Sequence, residues 1–235
     1  MMNILAIFAH PDDEAYGPGA TLARYALTGH RVSLVTLTRG EAGSLGICKE
    51  LPAPEVAEMR SRELHCAVKA LHLHSLKIYD LPDKGLQHYP EEKGMEIVRG
   101  EIAAHRPDIL LTFHPGGISG HSDHIAVTRW CEKTVLSLDA PPRLFYYGVS
   151  PEMAERIKPY RKIIPFENGE ITHVIDAREY FPYKLAAIQC HVSQLEFWES
   201  FQKNGAGEHF FGGEECFSRA LPRHHTNGVL KDLAL

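Results

Sequence analysis

Short apolar runs of strand character alternate with amphipathic segments of helical spacing over the first 150 residues. In α/β proteins each strand is followed by a helix that crosses back over the sheet, so this alternation is typical of βαβ units. We therefore predict an α/β, Rossmann-like sandwich with a mostly parallel central sheet, strand order 3-2-1-4-5 and helices on both faces. The predicted strands are 4–8, 31–38, 76–79, 108–113 and 143–147, and the predicted helices are 18–27, 55–71, 91–105 and 122–138.

The pattern weakens after residue 150. A late strand at 171–175 is followed by a helix that begins near Asp176 and runs to about residue 201, and we assign no regular structure to 205–235. The chain of 235 residues has room for one sizeable domain. Because no repeat or linker divides it, we predict a single domain over 1–235 that includes the C-terminal third, about 150–235.

The composition excludes some classes of protein. Hydrophobic residues make up 44% of the chain, charged residues 23%, and the net charge is −5, as in an average globular protein. A nucleic-acid partner is not expected, because such proteins carry a basic stripe. A membrane partner is not expected either, since no apolar run approaches the ~20 residues that span a bilayer. The N-terminus lacks the basic region of a signal peptide, which predicts a cytoplasmic protein.

The cysteines do not form a recognisable framework. Their number is odd, and no C-x-x-C pair occurs among Cys48, Cys66, Cys131, Cys190 and Cys216. This spacing is typical neither of a set of disulfides nor of a thiolate zinc site. We therefore expect them to be free thiols.

Two polar motifs each follow a predicted strand and precede a helix. In the predicted strand order, strands one and four are neighbours at the point where such sheets bind ligands, so the two motifs meet there. Two imidazoles and one carboxylate with an open position make a catalytic zinc arrangement. In each motif, one residue of the Asp or His pair can bind the metal while the other faces the substrate. The motifs consist of His10, Asp12 and Asp13, and of His121, Asp123 and His124.

These motifs resemble the signatures of the PIG-L/LmbE-like family of zinc-dependent N-acetylglucosaminyl deacetylases. The first is Ala9-His10-Pro11-Asp12-Asp13-Glu14, and the second is Gly120-His121-Ser122-Asp123-His124. Weaker matches extend the resemblance over residues 3 to about 195. They are segments 38–43, 59–64 and 184–187, together with His191, Ser193 and Gln194.

The resemblance implies a role for each residue of the motifs. Asp12 is expected to be the general base, and His121, in its protonated form, to steady the oxyanion and protonate the leaving amine. Asp123 is expected to orient His121 by a hydrogen bond. Zn²⁺ is the expected metal, although a His₂Asp site also accepts Fe²⁺ or Co²⁺. The implied ligands are His10, Asp13 and His124.

The resemblance also implies a substrate and partners. The substrate is a small sugar conjugate carrying N-acetylglucosamine, with the GlcNAc–malate intermediate of bacillithiol synthesis as the first choice and chitobiose-type sugars as the second. Arg60, Asp83 and Glu41 are expected to bind substrate. Ser119 stands where mycothiol-pathway deacetylases carry a tyrosine, which argues against a mycothiol substrate. Family members often self-associate, so a homo-oligomer is expected.

Other functions stay open on the sequence. Gly17 to Leu22 resembles part of a dinucleotide-binding fingerprint, but Leu22 replaces the third glycine and no acidic residue ends the second strand. A non-catalytic metal- or nucleotide-binding protein on a Rossmann-like fold is the alternative to an enzyme. Peptidase and esterase activities lack their usual H-E-x-x-H and G-x-S-x-G motifs. Segment 40–54 is either a mobile lid or a surface loop.

Overall fold

A computed structural model of the chain describes residues 1–43, 45–46, 51–202, 211–222 and 228–233. The strands are β1 (Asn3–Phe8), β2 (Arg31–Thr38), β3 (Ser75–Leu81), β4 (Ile109–Phe113), β5 (Arg143–Gly148), β6 (His173–Asp176) and β7 (Glu214–Leu221). The helices are α1 (Asp13–Tyr16), α2 (Gly19–Leu27), α3 (Ala53–Ala70), α4 (Glu91–His105), α5 (Gly117–Gly120), α6 (Ser122–Leu136), α7 (Pro151–Ile157), α8 (Phe181–Cys190) and α9 (Leu195–Gln202).

The strands form one sheet in the order β3-β2-β1-β4-β5-β7-β6. The first five strands pair in parallel, and β7 pairs antiparallel with both β5 and β6. The predicted α/β class and the order 3-2-1-4-5 are therefore confirmed. The prediction of an irregular tail was wrong for β7, which lies between β5 and β6.

Both faces of the sheet are buried, as the continuous apolar run in β1 requires. Side chains alternate along β1, so Leu5 and Ile7 pack into one hydrophobic cluster while Ala6 and Phe8 pack into another. The first cluster includes Trp130 and other residues of α4 and α6, and the second includes residues of α2 and α3. This packing fixes the level at which β1 ends and its polar motif begins.

The C-terminal helical region departs from the sequence prediction. The single helix expected up to about residue 201 is divided into α8 and α9, with a short 3₁₀ turn at Val192–Gln194 between them. The segment 228–233 packs against the sheet, where Leu230 pairs with His173 and Leu233 is buried. Among the helices of the described residues, none has the length and apolar character needed to cross a membrane.

One disulfide joins α3 to the end of α8. Cys66 and Cys190 are bonded, with their Cα atoms 5.6 Å apart across a sequence separation of 124 residues. The expectation that these cysteines are free was therefore wrong, because the fold brings distant helices together in a way that spacing does not reveal. Cys131 and Cys216 are free and buried. Cys48 lies outside the described residues.

Candidate active site

The two polar motifs meet at the carboxyl ends of β1 and β4. These strands are parallel neighbours in the sheet, so the loops that follow them open into the same crevice. The crevice is a cleft of about 1160 Å³. The predicted meeting of the motifs is confirmed, because this cleft is lined by residues of both, namely His10, Asp12, Asp13, His121 and His124.

Three of these side chains bring donor atoms to the spacing of a tetrahedral metal site. His10 Nδ1 lies 3.2 Å from His124 Nε2, and His124 Nε2 lies 3.2 Å from Asp13 Oδ1. The other Asp13 oxygen lies 3.5 Å from His10 Nδ1 and accepts the His10 backbone N–H at 2.7 Å. Donors bound to zinc at ~2.0–2.1 Å in a tetrahedron lie ~3.3 Å from one another. His10, Asp13 and His124 therefore fit an ion of this size.

Further contacts orient the histidines of the candidate metal site. His10 Nε2 lies 3.1 Å from Asp123 Oδ2 and 3.1 Å from Asp83 Oδ1, which turns Nδ1 toward the other donors. The ring of His124 stacks on Phe113 at a centroid distance of 4.0 Å. Burial lowers the pKa of His10, but its hydrogen bonds to Asp123, Asp13 and Asp83 outweigh burial and place that pKa well above its usual value.

Asp123 contacts His10 and His121 through different groups. Its carboxylate binds His10 and accepts the backbone N–H groups of Lys84 at 2.7 Å and Leu86 at 3.0 Å. Its contact with His121 uses the Asp123 backbone N–H, which donates to His121 Nδ1 at 3.2 Å. Asp123 therefore hydrogen-bonds His121 through its backbone, while the loop after β3 places its carboxylate beside His10, and the role expected for Asp123 in catalysis stays a prediction.

His121 is a neutral hydrogen-bond donor in this arrangement. It forms the N-cap of α6, and since Nδ1 accepts a backbone N–H, the ring proton lies on Nε2. Burial, followed by the neighbouring His10 and His124, lowers the pKa of His121 to about 4. The lowered pKa and the bonded Nδ1 both favour the neutral ring, and the protonated form expected during the reaction stays a prediction.

Asp12 lies in the cleft with a strained backbone. Its φ is 108°, in the left-handed region, which costs a non-glycine residue on the order of 1–3 kcal/mol. Its carboxylate accepts from Arg60 Nη2 at 3.1 Å. Burial raises the pKa of Asp12, and the charge of Arg60 partly opposes that rise. A carboxylate with these properties beside a metal site can serve as a general base.

Arg60 holds the loop that carries Asp12. Besides the Asp12 carboxylate, its guanidinium donates to the carbonyls of Pro11 at 2.5 Å and Gly40 at 2.8 Å. Gly40 has a φ of 71°, and a Cβ there would lie 2.4 Å from Arg60 Nη1, so glycine is needed for this approach. Arg60 also lines the cleft, and its predicted contact with substrate stays a prediction.

The other two predicted substrate-binding residues bridge loops. Asp83 lines the cleft, but its oxygens bind His10 and the backbone N–H of Ala42. Glu41 Oε1 accepts the backbone N–H of Asp83 at 2.8 Å, so Glu41 supports Asp83. Their contacts with substrate stay predictions. For segment 40–54 the sequence leaves a mobile lid and a surface loop as alternatives. Residues 44 and 47–50 of this segment lie outside the described residues, so both alternatives stay predictions.

Sequence reasoning assigned no role to two buried charged pairs. Glu14 Oε1 lies 2.6 Å from His191 Nε2, and both side chains are fully buried. Lys184 Nζ lies 2.7 Å from Glu215 Oε1, and both are almost fully buried. Lys184 and His191 were noticed in the sequence only because they fall in the weaker family matches. Their partners could not be predicted from spacing, because Lys184 and Glu215 are 31 positions apart and His191 and Glu14 are 177 positions apart.

The Glu215 carboxylate argues against the nucleotide-binding alternative. It accepts the backbone N–H groups of Ala20 at 3.2 Å and Thr21 at 2.8 Å, at the N-terminus of α2. A dinucleotide-binding fold uses these N–H groups to bind the pyrophosphate. In this chain the position is already taken by a carboxylate of the protein.

Comparisons with known proteins agree with this geometry. The family model described as GlcNAc-PI de-N-acetylase, PIG-L, matches residues 5–135. A 1D-myo-inositol 2-acetamido-2-deoxy-alpha-D-glucopyranoside deacetylase of Thermobispora bispora is 29% identical, over 90% of this chain and 86% of that protein.

Two solved structures show the same fold. One is the N,N'-diacetylchitobiose deacetylase of Pyrococcus horikoshii, with a TM-score of 0.70, 21% identity and coverage of 95% of this chain and 86% of that one. The other is the 4-carboxy-2-hydroxymuconate hydratase of Pseudomonas putida KT2440, with a TM-score of 0.71, 19% identity and coverage of 97% and 100%. The hydratase illustrates that this fold alone does not fix the reaction. The family match, however, covers more than half of the chain and both polar motifs, so the chain belongs to the PIG-L family of de-N-acetylases.

Proposed function

We propose that the protein is a metal-dependent amidohydrolase that removes the acetyl group from an N-acetylglucosamine-type conjugate. The observation that carries the proposal is that His10 Nδ1 and Asp13 Oδ1 each lie 3.2 Å from His124 Nε2. Asp12 and His121 line the same cleft, so acid–base and hydrogen-bonding groups accompany the metal donors. A non-catalytic metal-binding protein would have no need of these two residues.

The metal would be held by His10, Asp13 and His124. When bound, Zn²⁺ supplies a Lewis acid that polarises a carbonyl and lowers the pKa of a coordinated water toward ~7. The donor set of two imidazoles and one carboxylate leaves an open position, as catalytic zinc sites do. Zn²⁺ is the metal we propose, with Fe²⁺ or Co²⁺ as chemically acceptable replacements.

Asp12 would act as the general base in the first half of the reaction and as the general acid in the second half. Its carboxylate accepts a proton from the water that attacks the acetamide carbon, which gives a tetrahedral intermediate. When the C–N bond breaks, the Asp12 carboxyl returns that proton to the nitrogen, because an amide anion is too poor a leaving group. Acetate and the free amine are the products. We assign this second step to Asp12 and not to His121, because His121 Nδ1 already accepts the backbone N–H of Asp123.

His121 would stabilise the charge that develops on the carbonyl oxygen. Its Nε2–H is the available donor, since Nδ1 is occupied by the backbone N–H of Asp123. A donor already oriented in a partly buried cleft needs no reorganisation during the reaction, which makes such a contact effective.

For the sugar conjugate we propose two candidate aglycones. Relatives such as the Thermobispora bispora enzyme carry inositol-conjugate names, which favours inositol. The GlcNAc–malate conjugate is the second candidate, supported by Ser119, which stands where a tyrosine is expected in mycothiol-pathway enzymes. A cleft of about 1160 Å³ accommodates either conjugate.

The test is acetate release from a panel of substrates by purified, zinc-loaded protein. The panel holds GlcNAc–inositol, GlcNAc–malate, N,N'-diacetylchitobiose and free GlcNAc, each with and without a chelator. We expect release from at least one conjugate, loss of activity with the chelator and recovery with added Zn²⁺. Absence of acetate from every member of the panel, or activity indifferent to the chelator, would contradict the proposal.

The expected homo-oligomer stays a prediction. Sedimentation equilibrium of the zinc-loaded protein tests it, because the mass of the assembly is compared directly with the 26.3 kDa of one chain.

A further inference from the structure

Glu14 links the backbone of Asp12 to a histidine near the other end of the chain. One Glu14 oxygen lies 2.6 Å from His191 Nε2, and the other accepts the Asp12 backbone N–H at 3.1 Å. The Glu14 and His191 side chains are both fully buried. The metal site leaves this pair unused, since neither residue is a donor and neither lines the cleft.

Asp12 needs such support because of its backbone conformation. A φ of 108° is rarely adopted by a residue with a side chain, and it persists only where the surroundings impose it. Glu14 holds the amide of Asp12, and Arg60 holds its carboxylate at 3.1 Å. The two contacts fix the residue at its backbone and at its tip.

His191 is itself held by α3. The preceding residue, Cys190, is bonded to Cys66, and Ser193 donates its backbone N–H and its hydroxyl to Glu63 at 2.7 and 2.6 Å. Arg60, Glu63 and Cys66 recur every three residues, so they lie along one side of α3. The same helix therefore anchors Arg60, which holds the Asp12 carboxylate, and the segment that carries His191.

We propose that the Glu14–His191 pair is a positioning device that keeps the catalytic base Asp12 in its left-handed conformation. The inference rests on the proposed function for the role of Asp12 as the base. His191 acts through Nε2 alone, because its Nδ1 has no hydrogen-bond partner among the described residues. Glu14 contacts both His191 and the Asp12 amide, so it fixes the Asp12 amide relative to His191.

Two conservative variants separate this role from general packing. In His191→Gln the side-chain amide places a donor near the position of Nε2, whereas in His191→Asn the donor falls near the position of Nδ1. Both variants are polar and uncharged. We expect His191→Gln to keep most of the turnover. In His191→Asn we expect kcat to fall by about 100-fold with KM and metal content unchanged, as for a displaced catalytic group.

A stability control accompanies the variants. Val98→Ala removes a fully buried side chain of α4, which packs in the hydrophobic cluster on the other face of the sheet from α3. It is expected to lower thermal stability without changing kcat. If His191→Asn and His191→Gln have the same kcat, or if both lose activity only in proportion to their loss of stability, the positioning role is overturned.

A second measurement does not depend on deacetylase activity. Hydrogen exchange at the Asp12 amide, followed by NMR in the zinc-loaded protein, should accelerate at least tenfold in His191→Asn and stay near the wild-type rate in His191→Gln. Equal protection in both variants would refute the proposal even if no substrate were found. Failure of wild-type acetate release, in contrast, would overturn the proposed function and leave the exchange result to decide the positioning role.

Discussion

At the residue scale, the histidines that line the cleft differ in which ring nitrogen they direct toward the candidate metal site. His10 turns Nδ1 toward it and gives Nε2 to Asp123 and Asp83, whereas His124 uses Nε2. His121 accepts a backbone N–H at Nδ1. The sequence identifies these rings as site residues. It cannot indicate the nitrogen, because that choice depends on the loop after β3.

The assignment of Asp12 as base predicts the behaviour of Asp12→Asn. The amide cannot accept the proton of water, so we expect kcat to fall by about 10²–10⁴-fold. Metal content should stay at the wild-type level, because Asp12 is not among the three donors. Turnover and metal analysis of the same preparation check this. Near-normal turnover would show that another group is the base.

Arg60 predicts a change in the pH profile. Its charge opposes the rise that burial causes in the pKa of Asp12, so its removal in Arg60→Gln should raise that pKa further. The base must be deprotonated to work, and the acidic limb of kcat/KM should therefore move to higher pH. Arg60→Lys keeps the positive charge and should move the limb less. A limb that stays in place or moves to lower pH in Arg60→Gln would contradict the electrostatic role.

At the element scale, β1, β2, β4 and β5 could be predicted because strands buried on both faces are rich in apolar residues. The partly exposed edge strand β3 could be predicted only over its central residues. Strand β7 could not, because Glu214 and Glu215 open it, and the buried Glu215 carboxylate depends on distant partners, Lys184 and the N-terminus of α2. The division between α8 and α9 was also missed, since the turn there depends on Ser193 bonding to Glu63, 130 residues away.

The candidate site shows the same difference between local patterns, which the sequence reveals, and long-range contacts, which it does not. Both motifs were found because each follows a strand whose end is fixed by the apolar pattern. The partners of the Asp123 and Glu14 carboxylates escaped sequence reasoning, because each partner lies on a distant element. The carboxylate of Asp123 accepts from the loop at Lys84, and Glu14 binds His191.

The link between α3 and α8 predicts a loss of stability in Cys66→Ser. A disulfide that closes a long loop reduces the freedom of the unfolded chain and typically contributes ~2–4 kcal/mol. We expect the free energy of unfolding in guanidinium chloride to fall by that amount. A reductant should have the same effect on the wild type and no further effect on Cys66→Ser. If the variant and the oxidised wild type unfold at the same denaturant concentration, the bond does not stabilise the fold.

At the scale of the whole molecule, the proposed metal donors connect the loop after β1 with α6, over 100 residues later. A ligand that binds only the folded state stabilises it by ~2.7 kcal/mol at 100 times its dissociation constant. Added Zn²⁺ should therefore raise the thermal midpoint of the metal-free protein, as scanning calorimetry can measure. His124→Ala removes a donor and should abolish this shift.

Asp12→Asn is the matched control, since it alters the cleft without removing a donor. It should keep the zinc-dependent rise in midpoint. If His124→Ala keeps the rise or Asp12→Asn loses it, the donor set has been assigned wrongly.

The position of β7 between β5 and β6 has a consequence for the order of folding. β5 and β6 precede β7 in the chain, so a sheet that forms before residues 214–221 pair has an unpaired edge at β5. Such edges invite pairing with other chains. The arrival of β7 closes that edge and, in the same event, brings Glu215 to the N-terminus of α2. Completion of the sheet and completion of the region beside the cleft therefore depend on the same strand.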